Sequence, residues 1–240
     1  MASNKELDNN LNDFIVSVLK GASGLVPFAG SFIGEVMGII IPNQRIDRVA
    51  KYVQKLEEQL SEVSPERLRE FITKDEFIDL LEEGFLQATR ATSDQRREYI
   101  ACIIKNGLDE AMIAYQDSKH LLGILSELND IELLWLRRYW FPFANGDEEF
   151  LKANKDVLNT ILLTTSATDE ERRKHMLQES YLTHLERLGL LMSKPILDRK
   201  TGQPEYNSSG VLRKKSPEIT NLGRYLLKQI GLVNRLYFER

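Results

Sequence analysis

The most uniform pattern along the chain is an apolar stretch that runs from Phe14 to Ile41. Between Gly21 and Ile41 the only charged residue is Glu35. A helix that spans a bilayer needs roughly 20 apolar residues, which is about the length of this segment. Pro27 divides it and predicts a kink or a short hairpin. The pattern therefore favours either a segment that enters a membrane or an apolar hairpin buried inside a soluble protein.

Glycine recurs at every fourth residue of this segment, at Gly30, Gly34 and Gly38. Residues four apart lie on one face of a helix, so the glycines would form a groove into which another backbone can pack. Glu35 would have to face a pore or a partner helix, because an acidic side chain at the centre of a bilayer costs about 3 kcal/mol. The residues expected to carry membrane insertion and oligomerisation are Gly30, Phe32, Ile33, Gly34, Glu35 and Gly38.

Basic residues follow the apolar segment in the next predicted helix. Positive residues beside an apolar segment mark the cytoplasmic side of a membrane and attract anionic lipid head groups. If the segment spans a membrane, the chain that follows it lies in the cytoplasm. The alternative is a solvated helix face without a membrane role. The residues concerned are Arg45, Arg48, Lys51 and Lys55.

The helix after Pro42 has apolar residues whose spacing alternates between three and four. This spacing is typical of a coiled-coil seam, here about two and a half heptads long. Two interpretations stay open: packing against a helix of the same chain, or parallel self-association that gathers several glycine-rich segments side by side. The seam residues are Ile46, Val49, Val53, Leu56, Leu60 and Val63.

Further helix patterns fill the middle of the chain, where no strand pattern is found. Residues with capping side chains, or proline at a first helical position, predict where several helices begin. The predicted starts are Ser64-Pro65, Thr92 with Gln95, Asp130, and Thr168 with Glu171. The predicted helical ranges include 93–105, 108–115, 119–128 and 147–163.

The C-terminal part reads as helix, hairpin and helix, which is typical of a winged helix. Residues 179–190 are the expected recognition-type helix and 195–220 the expected wing. The basic wing residues expected to contact a partner are Arg199, Lys200, Arg213, Lys214 and Lys215. Glu179 and Glu186 would oppose DNA phosphates, so DNA reading is less favoured than binding to protein.

Composition and charge narrow the class of protein. The chain has 240 residues, of which 42% are hydrophobic and 28% charged, as expected for a globular protein. Its net charge of −4 divides into −10 for residues 1–169 and +6 for residues 170–240. A basic end on an acidic body predicts an acidic partner or pairing between the two parts. An acidic, Asn-rich N-terminus argues against a secretory signal peptide.

Chemistry-bearing motifs are scarce. Cys102 is the only cysteine, so an internal disulfide is excluded. His175 and His184 stand nine residues apart on one predicted helix, too far to share a metal. No phosphate-binding glycine loop with a lysine is present, and no nucleophile has a motif-level base partner. We expect no enzymatic activity, no metal and no cofactor.

The helix end Leu185–Leu191 (LERLGLL), followed by ITNLGRYLL with Thr220–Leu227, resembles the Abi-alpha group of bacterial abortive-infection proteins. The order of an apolar Gly/Pro segment, a basic amphipathic helix and an acidic helical middle resembles that group as well. The resemblance implies a bacterial, phage-defence protein that acts at the membrane, as an effector partnered with a sensor protein. It supplies no catalytic residues.

The expected fold is mainly α, with an N-terminal glycine-rich apolar helix or hairpin (1–42), a helical bundle with the heptad helix (43–129), and a winged-helix-like domain with a small β-hairpin (130–240). The expected function is that of a membrane-associated, pore-forming and homo-oligomeric effector in the cytoplasm or inner membrane of a bacterium. The alternative is a soluble winged-helix regulator that binds DNA or protein and buries the apolar segment. A third is a scaffold that oligomerises through residues 45–63.

Overall fold

The computed structural model of the chain describes residues 43–72, 74–108, 112–141, 147–161, 163–164, 166–208 and 210–233. Across these residues the chain is mainly helical, with one small antiparallel pair of strands, and both features were predicted. The helices are α1 (Asn43–Leu60), α2 (Pro65–Ile72), α3 (Asp75–Arg90), α4 (Asp94–Asn106), α5 (Met112–Glu127), α6 (Asp130–Arg138), α7 (Glu148–Ala153), α8 (Lys155–Leu158), α9 (Asp169–Arg187) and α10 (Asn221–Gln229). The strands are β1 (Leu191–Met192) and β2 (Glu218–Ile219), paired with Leu191 opposite Ile219.

The contacts divide the chain into two units. Within the described residues, the first unit contains α1 to α5, together with the chain from Gln229 onward. The second unit, Leu128–Lys228, contains α6 to α9, both strands and nearly all of α10.

The first unit is built around α1, which packs chiefly against α3 and α4. Four residues of the predicted seam are buried along this helix: Val49, Val53, Leu56 and Leu60. Tyr52 is also completely buried, and its ring meets that of Phe85 edge to face, with centroids 5.2 Å apart. The seam therefore packs within the chain, and self-association through it would require α1 to leave this position.

Helix α4 lies at the centre of the same unit, with Ile100, Ile103 and Ile104 fully buried. Gly84 of α3 allows the close approach, because a Cβ built there would lie 2.3 Å from Ile104 Cδ1. Arg97 is buried as well and donates hydrogen bonds to the Asp94 carboxylate at 2.5 Å and to the Ala91 carbonyl at 2.8 Å. These bonds satisfy the two terminal nitrogens of the buried guanidinium, whereas Arg97 Nε has no hydrogen-bond partner among the described residues.

Two predicted helix starts were wrong by one residue. The N-cap of α4 is Ser93 rather than Thr92, since Ser93 Oγ accepts the Arg96 N–H at 3.1 Å. The N-cap of α6 is Asn129 rather than Asp130. Asn129 forms a capping box with Glu132, which accepts the Asn129 N–H at 2.8 Å. Neighbouring Thr-Ser and Asn-Asp residues have similar cap preferences, so only the backbone geometry distinguishes them.

Two predicted helical ranges also differ from the structure. The two helices expected over 108–115 and 119–128 are continuous from Met112 to Glu127, as the single helix α5, with Ser118 buried in its middle. The helix expected over 147–163 ends at Leu158 after two short pieces, α7 and α8. The extended chain that follows is held by Gln178, which bonds the Asn159 carbonyl at 2.8 Å and the Ile161 N–H at 3.2 Å.

In the second unit, α9 begins at the predicted capping box of Thr168 and Glu171. The helix ends before Gly189, which has a φ of +71°, and the chain enters β1. Thr220 then joins β2 to α10: its hydroxyl donates to the Gly189 carbonyl at 2.6 Å and accepts the Gly223 N–H at 3.0 Å. Gly223 lets α10 approach β1, since a Cβ there would lie 2.4 Å from the Leu190 carbonyl oxygen.

Candidate functional site: the basic wing

The residues on which the membrane prediction rests, Gly30, Phe32, Ile33, Gly34, Glu35 and Gly38, lie outside the described part of the chain. The N-terminal part of the predicted fold, residues 1–42, also lies outside it. Among the helices that are described, none combines the length and the apolar character needed to cross a membrane.

The basic residues after the apolar segment lie on α1. The Arg48 guanidinium donates to the Thr89 carbonyl of α3 at 3.4 Å. Lys51 Nζ lies 3.7 Å from an Asp94 carboxylate oxygen, and Lys55 Nζ lies 2.9 Å from Glu58. The structure does not describe the side chain of Arg45. Exposed ion pairs of this kind contribute little to stability, so Lys51 and Lys55 can exchange these partners for other anions.

Three short segments, 194–198, 203–207 and 211–215, lie between β1 and β2. They overlap the range that was predicted as a wing, 195–220, and from here on the name wing is used only as a label for residues 194–215. Each segment bonds to both of the others. The Ile196 N–H donates to the Arg213 carbonyl, the Arg213 N–H to Glu205, and the Glu205 N–H to Ile196, each at 2.8 Å. The sequence predicted a hairpin here. In the structure, three extended segments are joined to one another by these backbone hydrogen bonds.

Both turns of the wing are held by local hydrogen bonds. The Asp198 carboxylate accepts the Thr201 N–H at 2.7 Å and the Lys200 N–H at 2.9 Å, and these bonds hold the pKa of Asp198 below its usual value. At the second turn, Asn207 Oδ1 accepts the Val211 N–H at 2.9 Å. The side chains of the wing are therefore presented from a well-ordered backbone.

The five predicted basic wing residues divide into two groups. Arg213 pairs with Glu205 at 2.6 Å, and Lys214 pairs with Glu186 of α9 at 2.9 Å. Burial alone would raise the pKa of Glu186, but hydrogen bonds from Ser193 and Lys214 outweigh it and hold that pKa below its usual value. The exposed side chains of Arg199, Lys200 and Lys215 have no ionic or hydrogen-bonding partner among the described residues. Arg199, Lys200 and Lys215 are therefore available to bind a ligand.

Apolar side chains stand beside these cations. In the bridges between segments, Leu197 lies opposite Pro204, and Tyr206 lies opposite Leu212. Opposed residues of antiparallel strands project to the same side of a sheet, so these residues form an outward apolar face. Leu197 is 50% exposed, and Tyr206 and Val211 are each 61% exposed. The sequence analysis missed these residues, although their position in short extended runs between turns was the signal.

Two titratable sites outside the wing are buried or half-buried. His184 of α9 lies 2.6 Å, Nδ1 to Oε1, from buried Glu132 of α6, which links the two helices. This pair was not predicted, because its members are far apart in the chain. Burial raises the pKa of the Cys102 thiol to about 11, so the thiol is protonated at neutral pH. Within the described ranges, no three His, Cys, Asp or Glu side chains are grouped as a metal site.

The geometry thus brings three predicted cations and an unpredicted apolar face together on one wing, and it leaves Arg213 and Lys214 in ion pairs. Comparison with protein-family models, with curated proteins and with solved structures finds no match to this chain.

Proposed function

We propose that the protein is a membrane-associated, pore-forming effector of bacterial anti-phage defence, in which the apolar segment of residues 14–41 enters the bilayer and oligomerises. The observation that carries the proposal is this apolar, glycine-striped sequence, in which Glu35 is the only charged residue between Gly21 and Ile41 and which only Pro42 separates from α1. The likeness to abortive-infection proteins supports the defence role. In this proposal the described helices remain on the cytoplasmic side.

The packing of α1 supports the assignment of oligomerisation to the glycine stripe. The apolar side of α1 is used within the first unit, where Val49, Val53 and Leu56 are each less than 5% exposed. A contact between protomers therefore needs another surface, and small residues at every fourth position allow helices to approach closely in lipid.

The cations on α1 support the orientation. Lys51 and Lys55 are paired with acidic residues that are themselves more than 60% exposed. Such pairs are readily exchanged for lipid phosphates near a membrane surface. Positive charge after the segment favours placing the described part of the chain on the cytoplasmic side.

The proposal is tested with the full-length protein and the variant Gly34→Leu. We expect dye leakage from vesicles, and toxicity on expression, to fall at least tenfold, because the leucine side chain blocks the close helix contact. Carbonate-washed membranes should still contain the variant, since leucine keeps the segment apolar. The urea midpoint of the helical units should be unchanged.

Gly123→Leu is the matched control. Gly123 lies on α5, and no described residue comes within 4 Å of a Cβ built there, so the same substitution is made at an open position. This control should leak as the unmodified protein does. Equal leakage from Gly34→Leu and the unmodified protein would contradict the pore assignment. Extraction of the unmodified protein by carbonate would contradict membrane insertion.

A second candidate is a soluble winged-helix regulator. The observation that favours it is the order of α9, the wing and α10, with three cations of the wing that have no partner in the part of the chain that the structure describes. In this reading Lys200 and Lys215 would contact phosphates of DNA, and reversing both to glutamate should weaken binding and reduce its salt dependence. The acidic Glu186, which holds Lys214 on α9, makes this candidate the weaker one.

A further inference from the structure

We propose that the wing is a separate docking surface for an anionic bilayer, which it contacts through its apolar face and through the two cations of its first turn, Arg199 and Lys200. The inference rests on the proposed function in placing the protein at a membrane. It adds the class of lipid that is recognised and the residues that recognise it. The wing lies outside the apolar N-terminal segment, so the two contacts can be separated by mutation.

The apolar residues of this surface share one side of the wing, and most of them are exposed to solvent. The bridge register places Leu197, Pro204, Tyr206 and Leu212 on one side of the wing, and the exposed fractions of Leu197 and Tyr206 are 50% and 61%. Such grouped exposure of large apolar side chains marks interaction sites. Tyrosine has an apolar ring and a polar tip, which suits the boundary between head groups and acyl chains.

The charge of the wing selects an anionic occupant. Residues 194–215 contain six basic and two acidic residues, a net charge of +4. The two acidic residues are engaged: Asp198 accepts backbone N–H groups of its own turn, and Glu205 pairs with Arg213. Arg199 and Lys200 follow Leu197 directly in the first turn, so cations flank the apolar face. Lys and Arg side chains near a surface of anionic lipid bind it favourably.

A bilayer fits this combination better than nucleic acid does. DNA phosphates would use the cations but leave Leu197, Tyr206 and Val211 without a partner. The neighbouring helix α9 presents Glu179 on its exposed surface and places Glu186 beside the wing, which would repel a DNA backbone. Anionic lipid offers phosphates and an apolar interior in one surface. The hydrogen-bonded turns reduce the ordering cost of docking.

The test measures binding of the full-length protein to sedimented vesicles of phosphatidylcholine, with and without 30 mol% phosphatidylglycerol. Two variants remove one half of the surface each: Arg199→Glu with Lys200→Glu, and Leu197→Ser with Tyr206→Ser. We expect the first to lower binding to the anionic vesicles at least about tenfold, because each basic residue near the surface adds to attraction. The second should weaken binding to the same vesicles while leaving its salt dependence intact.

Matched controls lie in the same unit. Lys152→Glu with Lys155→Glu reverses two exposed lysines of α7 and α8, and Met176→Ser removes an apolar side chain that is 61% exposed, as Tyr206 is. Both controls should bind like the unmodified protein. Gly34→Leu should bind anionic vesicles without leakage, so loss of the pore and loss of docking give different results.

Three outcomes would overturn the inference. The first is an unchanged preference for anionic vesicles in Arg199→Glu with Lys200→Glu. The second is an equal loss in the lysine control, which would show that net charge alone is responsible. The third is binding of duplex DNA that the wing variants abolish while vesicle binding stays the same. Urea midpoints equal to that of the unmodified protein would show that each variant is folded.

Discussion

Helices α1 and α9 are nearly equal in length, 18 and 19 residues, yet they differ sharply in burial. Along α1, five residues from Val49 to Leu60 are buried in the first unit. Along α9, only Leu185 is buried. A long helix in this chain can therefore serve as the core of a unit, or it can leave its side chains to the solvent and to partners.

The difference follows from the spacing of apolar residues. The seam of α1 returns an apolar side chain to one face at every turn, so the whole helix packs. The first half of α9 carries charged residues on all sides, with Met176 and Leu177 exposed. Its attachment comes from the second half, through Leu185 and the pair of His184 with Glu132. The wing begins where this attached half ends.

The largest test of this contrast compares two leucines that are changed to alanine. Leu56→Ala on α1 removes a side chain that is 4% exposed and should cost about 3 kcal/mol of unfolding free energy. Leu177→Ala on α9 removes a side chain that is 42% exposed and should change the unfolding free energy by less than about 0.5 kcal/mol. Urea unfolding followed by circular dichroism measures both. If both substitutions lowered the unfolding free energy by similar amounts, Leu177 would have to be covered by another surface in solution.

A smaller effect is expected from two glycines inside helices. At Gly84, a Cβ would lie 2.6 Å from the Tyr52 hydroxyl and 2.3 Å from Ile104 Cδ1, and both side chains are fully buried. Gly84→Ala should therefore destabilise the protein by about 2 kcal/mol. Gly123→Ala has open space and should stabilise it by up to about 1 kcal/mol, through helix propensity.

The same urea titration tests this pair. A neutral or stabilising Gly84→Ala would mean that α1, α3 and α4 can separate by a few tenths of an ångström at little cost. The tight packing inferred for α1 would then be wrong. A destabilising Gly123→Ala would mean that the exposed face of α5 meets another part of the chain.

The smallest expected effects come from two N-caps. Ser93 caps α4 at the centre of the first unit, whereas Thr168 caps the exposed half of α9. Ser93→Ala should lower the overall unfolding free energy by about 1 kcal/mol. Thr168→Ala loses a similar bond, but the exposed first turns of α9 can fray without unfolding the unit. Its effect should be confined to the exchange of nearby amides.

Hydrogen exchange followed by mass spectrometry distinguishes these outcomes. Ser93→Ala should speed exchange throughout α4, and Thr168→Ala only over the first turn of α9. Fluorescence of Trp135 and Trp140, the only tryptophans of the chain, reports the second unit and should not change in Thr168→Ala. A general loss of protection in that variant would show that the first half of α9 supports the unit.

Features set by neighbouring residues were predictable from the sequence. The mainly helical fold, the seam, the Ser64-Pro65 start of α2 and the capping box of Thr168 with Glu171 all depend on groups within a few residues of one another. Asn106-Gly107 likewise ends α4 as expected. Errors arose where two adjacent residues had similar preferences, as at Ser93, and where a helix continued through a buried polar residue, as at Ser118.

The candidate site shows more clearly which features could not be predicted from the sequence. All five basic residues of the wing could be named from composition and turn signals, but their division into paired and unpaired cations could not. Lys214 pairs with Glu186, which is 28 residues away in the sequence, and Arg213 pairs with Glu205 on the neighbouring segment of the wing. The apolar face of Leu197 and Tyr206 depends on which residues stand opposite each other in the wing.

The sequence by itself determined the helical character of the chain, the starts of α2 and α9, and the apolar residues that make α1 a core helix. Only the tertiary structure decided what α1 packs against, that Glu132 meets His184, and which cations of the wing are available. The physical reason is range: periodicity and capping act within one or two turns, whereas partners and exposure depend on residues brought together by the whole fold.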